Sequence, residues 1–235
     1  MRNDAAEIVG VERAGARLYT CEHASNRVPA PWRPRPADRR LLAMHWGYDI
    51  GARNVTIELA RLDASCAVLS RFSRLLIDPN RDPADATAVL RDTDDGCPSF
   101  NRQPDLTARV GRFHRPFHAA LGEVTARMIP RLLVSIHSFT PVFRGNHRAV
   151  EAGVLFDSHD ALCGGVVDAL RQQGFRTEPN EPYSGKLGLI YSAARHGGSA
   201  GIPYFEIELR QDLIASGKDA RAVARRVWRA LEAAA

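Results

Sequence analysis

The chain has 235 residues, of which 45% are hydrophobic and 25% are charged. This composition is typical of a folded globular protein and excludes a chain that is disordered throughout. Its length suits one large α/β domain, and we expect a single domain over residues 1–235. No run of about 18 apolar residues occurs, so we expect no membrane-spanning helix. Residues 1–15 lack the apolar core of a signal peptide, which favours a cytoplasmic location.

The formal net charge is +5, and all but two of the 32 cationic side chains are arginines. These arginines are spread along the chain and mixed with 27 acidic residues, and no nucleic-acid-binding motif occurs. We therefore interpret most of them as a compositional bias and expect no nucleic-acid partner. The four cysteines are widely spaced and form no C-x-x-C pair, which indicates free thiols rather than a zinc knot or a disulfide framework.

Short apolar runs alternate with amphipathic stretches along the whole chain. We predict strands over residues 16–21, 66–69, 75–77, 131–136, 153–156 and 204–209. We predict helices over residues 49–62, 106–128, 160–173 and 219–234, with a bend in the second of them at Pro116. This alternation predicts an α/β fold whose largely parallel or mixed sheet is covered by helices on both faces. In such sheets ligands bind at the carboxyl ends of the strands.

The stretch 78–105 is rich in proline, aspartate and arginine and shows little periodicity. A loop of this length in a compact domain is either functional or disordered. It opens with Asp-Pro-Asn-Arg, directly after the predicted strand 75–77. The guanidinium of Arg81 beside the amide of Asn80 suits the recognition of a substrate carboxylate. A solvated surface arginine is the alternative, but the position directly after a strand favours a functional role.

Two histidines, His23 and His137, follow two of the predicted strands. Because strand ends hold side chains rigidly, the two imidazoles can converge on one metal ion. A hydrolytic zinc site needs three protein ligands and an open position. Asp49 is a candidate for the third ligand, although an aspartate there could instead cap a helix. His45 and Glu22 are competing candidates for the same place.

The last predicted strand contains two glutamates, Glu206 and Glu208, which share one face because they are two residues apart. Acids inside an apolar strand are costly unless they have partners. A glutamate that faces a metal can take a proton from water and pass it to a leaving amine. For Glu206 we favour a salt bridge to one of the arginines.

A second histidine pair, His114 and His118, has the four-residue spacing of helical metal ligands. The glutamate that follows the first histidine in such metal-binding helices is replaced by Arg115, and Pro116 disturbs the turn. We therefore interpret this pair as packing or substrate-contacting residues rather than as a metal site.

Six fragments of the chain occur in the order seen in a known enzyme family. They are CEHASNRVP, DIGA, RLLIDPNR, SIHSFTP, NEPYSG and YFEIELRQDLI. The chain thereby resembles the N-formylglutamate amidohydrolase family over residues 18–216. The resemblance implies a three-layer α/β/α sandwich around a mixed sheet, similar to the zinc carboxypeptidases and to the succinylglutamate and aspartate deacylases. It also implies one zinc ion and a small acidic N-acyl amino acid, such as N-formylglutamate, as substrate.

The resemblance assigns the metal ligands in part. His23 and His137 look like zinc ligands of this family. Zinc carboxypeptidases use a His-x-x-Glu ligand pair, but Asn26 stands at the matching position of this chain. The third ligand must then come from elsewhere, and we expect Asp49.

The resemblance also suggests which residues bind and cleave the substrate. Asn80 and Arg81 look like the carboxylate-binding pair of the wider carboxypeptidase group. Glu208 looks like the general acid and base. Arg74 and Arg148 are expected to assist in anchoring the substrate or to stabilise the oxyanion, and loop 78–105 to close over it.

Three functions are open from the sequence. The first is a zinc-dependent hydrolase of N-acyl amino acids. The second is a related carboxypeptidase or deacylase with another substrate, and the third is a non-catalytic binding module on the same scaffold. The sequence does not indicate an oligomeric state.

Overall fold

The computed structural model describes residues 4–234, so residues 1–3 and 235 of the expected domain lie outside the described residues. The strands are β1 (Ala6–Gly10), β2 (Arg17–Cys21), β3 (Cys66–Ser70), β4 (Leu132–Phe139), β5 (Val142–Phe143), β6 (Asn146–His147), β7 (Ala152–Leu155), β8 (Thr177–Pro179) and β9 (Tyr204–Arg210). The helices are α1 (Asp38–Ala43), α2 (Ala52–Leu62), α3 (Leu106–Arg109), α4 (Arg115–Met128), α5 (Asp160–Gln172), α6 (Tyr191–Ala200) and α7 (Gly217–Ala233). Among these helices, none is both long and apolar enough to cross a lipid bilayer.

Within residues 4–234, the large sheet has the strand order β1-β3-β2-β4-β9-β7-β8. Its four central strands, from β3 to β9, run parallel to one another. β1 pairs with β3 and β7 pairs with β9 in the antiparallel sense, while β8 is parallel to β7. β5 and β6 form a separate hairpin. The mixed sheet predicted from the sequence is therefore confirmed.

The sheet separates two hydrophobic cores. On one face, Val134 and Ile136 of β4 belong to the core that the apolar sides of α2, α5 and α7 complete. On the other face, Leu133 packs into a second core with residues of α4 and α6. All residues of β4 are buried because helices cover both faces, and this three-layer arrangement confirms the expected fold class.

Several elements differ from the predicted ones. The apolar run 75–77, predicted as a strand, is a buried irregular segment, and a run of three residues does not distinguish the two. His137 lies inside β4 rather than after it. The predicted bend near Pro116 is a π-helical turn, Val110–His114, directly before α4. Pro116 follows this turn in a helical stretch that is continuous from residue 106, and the wider π-helical turn lies where proline supplies no N–H and its ring needs space.

Candidate metal centre and active site

Three side chains from distant parts of the sequence converge at the carboxyl edge of the sheet. His23 follows β2, His137 lies in the neighbouring strand β4, and Asp49 precedes α2. The Nδ1 atom of His137 lies 2.8 Å from Asp49 Oδ2 and 3.1 Å from His23 Nδ1. His23 Nδ1 lies 3.2 Å from the same oxygen of Asp49. All three residues are buried.

The backbone places the carboxylate of Asp49 in this cluster. The Asp49 amide donates to the carbonyl oxygen of His23, and the Ser138 amide donates to Asp49 Oδ2. Asp49 is therefore not the cap of α2, since Gly51 holds that position with a φ of 83°. This left-handed conformation favours glycine, and a Cβ there would collide with the carbonyl oxygen of Ile214.

The outer nitrogen of each histidine contacts a second carboxylate. His23 Nε2 lies 2.7 Å from Asp78 Oδ1, and His137 Nε2 lies 3.0 Å from Glu22 Oε2. A carboxylate accepts hydrogen bonds, so each Nε2 is assigned the proton. In the neutral histidines, both Nδ1 atoms then present lone pairs to each other and to Asp49. Such a set of electron donors requires a positive charge between them.

The donor set fits a metal ion. Two imidazole nitrogens and one carboxylate oxygen are ligands of hydrolytic zinc sites, and carboxylate-backed histidines are typical of such sites. The donor separations of 2.8–3.2 Å approach the edge of a tetrahedron around zinc, about 3.4 Å. The buried triad His23–Asp49–His137 can therefore hold a metal ion. Neither His45 nor Glu22 belongs to this triad among the residues described.

The electrostatics of the site favour positive charge in the same place. Burial lowers the pKa of His137, but the carboxylates of Glu206, Asp49 and Glu22 outweigh it and raise this pKa well above its ordinary value. Burial likewise opposes the ionisation of Asp49, but His23 and His137 hold the Asp49 pKa well below its ordinary value. In the absence of a metal, a proton on His137 therefore supplies the positive charge among these donors.

Glu22 supports the triad from behind rather than joining it. Its carboxylate accepts hydrogen bonds from Thr20 at 3.0 Å and from Ser135 at 2.5 Å, in addition to the contact with His137. Burial alone raises the Glu22 pKa, but His137 and the hydroxyl donors lower it to about 2. The orienting roles of Glu22 and Asp78 were not predicted, although an acid beside a strand-end histidine is a usable signal for them.

The register of β4 and β9 places the two glutamates beside the triad. His137 pairs with Glu208, and Ser135 pairs with Glu206. Glu206 accepts a 2.9 Å hydrogen bond from the Asn80 amide, and its other oxygen lies 3.7 Å from His137 Nε2. These contacts, rather than an arginine, partner Glu206. Burial raises its pKa to about 8.

Glu208 has the features of a proton-transfer group. Its side chain lines the cleft beside His137 and is nearly buried. Within residues 4–234, its Oε2 atom has no hydrogen-bond partner. Burial raises the pKa of Glu208 to about 7, so this carboxyl can both accept and release a proton near neutral pH.

Two arginines line the cleft on the side of the 78–81 segment. Arg74 donates to Asp78 Oδ2 at 2.7 Å and lies 3.5 Å from Asp49. The guanidinium of Arg81 has no hydrogen bond or ion pair with any residue the structure describes, so it is free for a ligand. Both amide hydrogens of Asn80 are used, one by Glu206 and one by the carbonyl oxygen of Leu189.

Arg148 lies behind residues that line the cleft. Its guanidinium stacks on the rings of Phe143 and Tyr183, at 4.8 and 5.2 Å from their centroids, and donates to the Tyr183 hydroxyl. Tyr183 and Phe143 line the cleft, whereas Arg148 is not among its described lining residues. His45 also lines the cleft and stacks on Trp46, with its Nε2 atom buried and unpartnered among the described residues.

The cleft has a volume of about 180 Å³. Clefts that take drug-sized ligands measure roughly 300–1,000 Å³, so this one suits a smaller molecule. Its described lining combines acidic, basic and imidazole side chains with a few apolar ones.

Comparison with known proteins identifies the family of the chain. The sequence model of the N-formylglutamate amidohydrolase family matches residues 16–215. The chain belongs to this family. It is therefore a member of an amidohydrolase family, as its six ordered fragments indicate. A comparison with curated proteins finds no significant match.

Solved structures share the fold of this family member. The gene product Atu2144 of Agrobacterium tumefaciens has 29% identity and a TM-score of 0.89, covering 98% of this chain and 94% of its own. The N-formylglutamate amidohydrolase of Ralstonia eutropha JMP134 has 18% identity and a TM-score of 0.76, covering 98% of this chain and 97% of its own. The three-layer sandwich is thus shared with both proteins over nearly their full lengths.

Proposed function

We propose that this protein is a zinc-dependent hydrolase that cleaves the amide bond of a small acidic N-acyl amino acid, with N-formylglutamate as the reference substrate. The observation that carries the proposal is the set of facing donors from His23, Asp49 and His137, with the unpartnered Oε2 atom of Glu208 on the neighbouring strand. When bound by these ligands, zinc supplies a Lewis acid that polarises the scissile carbonyl.

Glu208 performs the proton transfers in this proposal. As the carboxylate it takes a proton from the attacking water, and it then delivers this proton to the departing amine. A pKa of about 7 suits both steps near neutral pH. Glu22 and Asp78 keep the Nε2 atoms of the two histidines protonated, so that both Nδ1 atoms stay available as ligands.

Arg81 binds a carboxylate of the amino-acid part. It is the cleft-lining guanidinium that forms no ion pair at contact distance with the described residues, and arginine matches a carboxylate with two parallel hydrogen bonds. Asn80 lies beside it but is occupied by Glu206, so its role is to support this wall of the cleft. Arg74 adds positive charge, and Arg148 acts through Tyr183, which it holds against the cleft.

A panel of substrates tests the proposal with zinc present. We would measure the hydrolysis of N-formyl, N-acetyl and N-succinyl derivatives of glutamate and aspartate, and of short peptides. The small cleft and the free Arg81 favour the N-acyl amino acids. Preferential cleavage of peptides would support the carboxypeptidase alternative. No cleavage by the zinc-loaded protein would overturn the proposal in favour of a binding module.

Replacing Arg81 by methionine provides the matching variant. We expect KM for the acidic substrate to rise about 10- to 100-fold, because a charged hydrogen-bond partner is lost. The exposed Arg102, in the same loop, is the control and should leave KM unchanged when replaced in the same way.

A further inference from the structure

Three buried histidines lie outside the metal triad. His114 ends the π-helical turn, His118 lies one turn later in α4, and His196 lies in α6. They are 2%, 4% and 9% exposed, and none of them is among the described residues that line the cleft. We refer to these three residues as the histidine cluster.

The histidine cluster holds the backbone of the 78–81 segment. His118 Nε2 lies 3.0 Å from the carbonyl oxygen of Pro79, and His114 Nε2 lies 2.9 Å from that of Arg81. The four-residue spacing places both rings on one side of the helix, and their centroids are 4.4 Å apart. The two bonds therefore fall on the carbonyl groups on either side of Asn80.

A defined set of tautomers follows from these contacts. A carbonyl oxygen only accepts, so His114 and His118 each carry a proton on Nε2. The Nδ1 atom of neutral His118 is then an acceptor for His196 Nε2, which lies 2.9 Å away. Burial lowers the pKa of His118 to about 2 and that of His196 to about 4, which keeps both neutral near pH 7.

The segment that the histidine cluster holds has no strand partners. Residues 78–81 are irregular and lie outside the sheet, so no β ladder fixes their position. Yet this segment supplies Asp78 to His23, Asn80 to Glu206 and the guanidinium of Arg81 to the cleft. Its placement comes from hydrogen bonds outside the sheet. The Asp78 amide donates to the carbonyl oxygen of Ala88, and the Ser192 amide donates to Asn80 Oδ1. His118 and His114 hold the carbonyl groups of Pro79 and Arg81.

We propose that His114 and His118 are positioning residues of the hydrolase, which fix the backbone around Asn80 and thereby place Arg81 for the substrate carboxylate. His196 orients His118 by donating to it. This inference rests on the proposed function for its kinetic consequence. The two histidines belong neither to the metal triad nor to the described lining of the cleft, so they act on the reaction only through the segment they hold.

Two replacements of His118 separate hydrogen bonding from packing. Phenylalanine keeps an aromatic ring but removes the donor to Pro79 and the acceptor for His196, whereas glutamine keeps an N–H near the position of Nε2. With zinc present, we expect His118→Phe to raise KM for N-formylglutamate about tenfold. We expect kcat to change less than about threefold and the zinc content per chain not to change. His118→Gln should stay within about threefold of the wild type in KM.

Hydrogen–deuterium exchange gives a readout that needs no substrate. Peptides that cover residues 78–91 should exchange about tenfold faster in His118→Phe, and near the wild-type rate in His118→Gln. His114 contacts the carbonyl oxygen of Arg81, so His114→Phe should likewise speed the exchange of these peptides and His114→Gln should not. The exposed His147, in the β5–β6 hairpin, is the control, and His147→Phe should change neither KM nor exchange.

The outcomes are distinct. An unchanged KM and exchange rate in His118→Phe would overturn the inference. It would also be overturned if His118→Gln behaved like His118→Phe and both lost zinc or unfolded at lower temperature, because the role would then be general packing. If the wild type cleaves no N-acyl amino acid, the proposed function fails, and the exchange rates alone decide whether the histidine cluster holds the segment.

Discussion

The Nδ1 atoms of His23 and His137 face each other at 3.1 Å, each with its Nε2 atom against a different buried carboxylate. This relationship joins a residue that follows β2 to one inside β4, two strands that are more than a hundred residues apart in the sequence but adjacent in the sheet. The facing nitrogen atoms favour a positive charge between them, and the carboxylate of Asp49 completes this set of donors.

Replacing Glu208 by glutamine tests its role in proton transfer. We expect kcat on the preferred N-acyl amino acid to fall at least about a hundredfold, because the amide cannot accept the proton of the attacking water. Zinc content should not change, since Glu208 is not part of the triad. Near-normal turnover would exclude this role. Glu178→Gln, at the exposed edge strand β8, is the control.

We also expect the difference in stability between Glu208→Gln and the wild type to depend on pH in the metal-free protein. The Glu208 pKa is about 7 in the folded state against an ordinary value of 4.5, so the stability that its protonated form contributes is complete below pH 4.5 and is lost as the pH rises through 7. Glu208→Gln should therefore gain up to about 3 kcal/mol over the wild type between pH 4.5 and 8. Urea unfolding at both pH values measures this, and an equal difference at both would contradict it.

Zinc binding should stabilise the fold through Asp49. At a free zinc concentration of 100 times Kd, we expect the free energy of unfolding of the wild type to rise by about 2.7 kcal/mol. Asp49→Asn preserves the shape of the side chain but removes the charge, and should reduce the zinc-induced shift in Tm. Thermal unfolding with and without zinc measures both. The same shift in the variant would mean that zinc binds elsewhere, and Asp168→Asn, exposed on α5, is the control.

Gly51 should be intolerant of a side chain. Alanine there combines the strain of a φ of 83° with a collision against the carbonyl oxygen of Ile214, and we expect a loss of about 2–4 kcal/mol in stability. Gly188 has a similar φ of 73° but open space around it, so Gly188→Ala should cost only about 1 kcal/mol. Denaturant unfolding of the two variants separates collision from strain. Equal losses of stability in Gly51→Ala and Gly188→Ala would contradict the collision with Ile214.

Strong local patterns in the sequence predicted most of the central sheet and its long helices. The apolar strands β2, β4 and β9 and the amphipathic helices α2, α5 and α7 lie within a few residues of their predicted positions. Shorter elements such as α1 and α6 were not predicted, and the run 75–77 was wrongly assigned to a strand. A short apolar run is buried in either case, and only its neighbours decide whether it joins a sheet.

Some residues of the candidate site could also be predicted from local sequence patterns. His23 and His137 stand at or near the ends of apolar strands, and that position marked them as candidates. Glu208 was marked as an acid inside an apolar strand and by the resemblance to the family. The sequence left Asp49, His45 and Glu22 as candidates for the third ligand, and Asp49 was the expected one. The structure brings Asp49 to both histidines through backbone contacts with His23 and Ser138, which no local pattern encodes.

The sequence by itself determined the family, the layered α/β fold and the set of residue types available for hydrolysis, because periodicity and ordered motifs are local properties of the chain. Only the tertiary structure decided which contacts each of these residues makes. It turned Glu22 and Asp78 into supports of the triad and committed Asn80 to Glu206. It also left Arg81 free and placed Arg148 behind Tyr183. The physical reason is that hydrogen bonds and ion pairs of a few ångströms depend on how distant segments pack, and sequence spacing does not contain those distances.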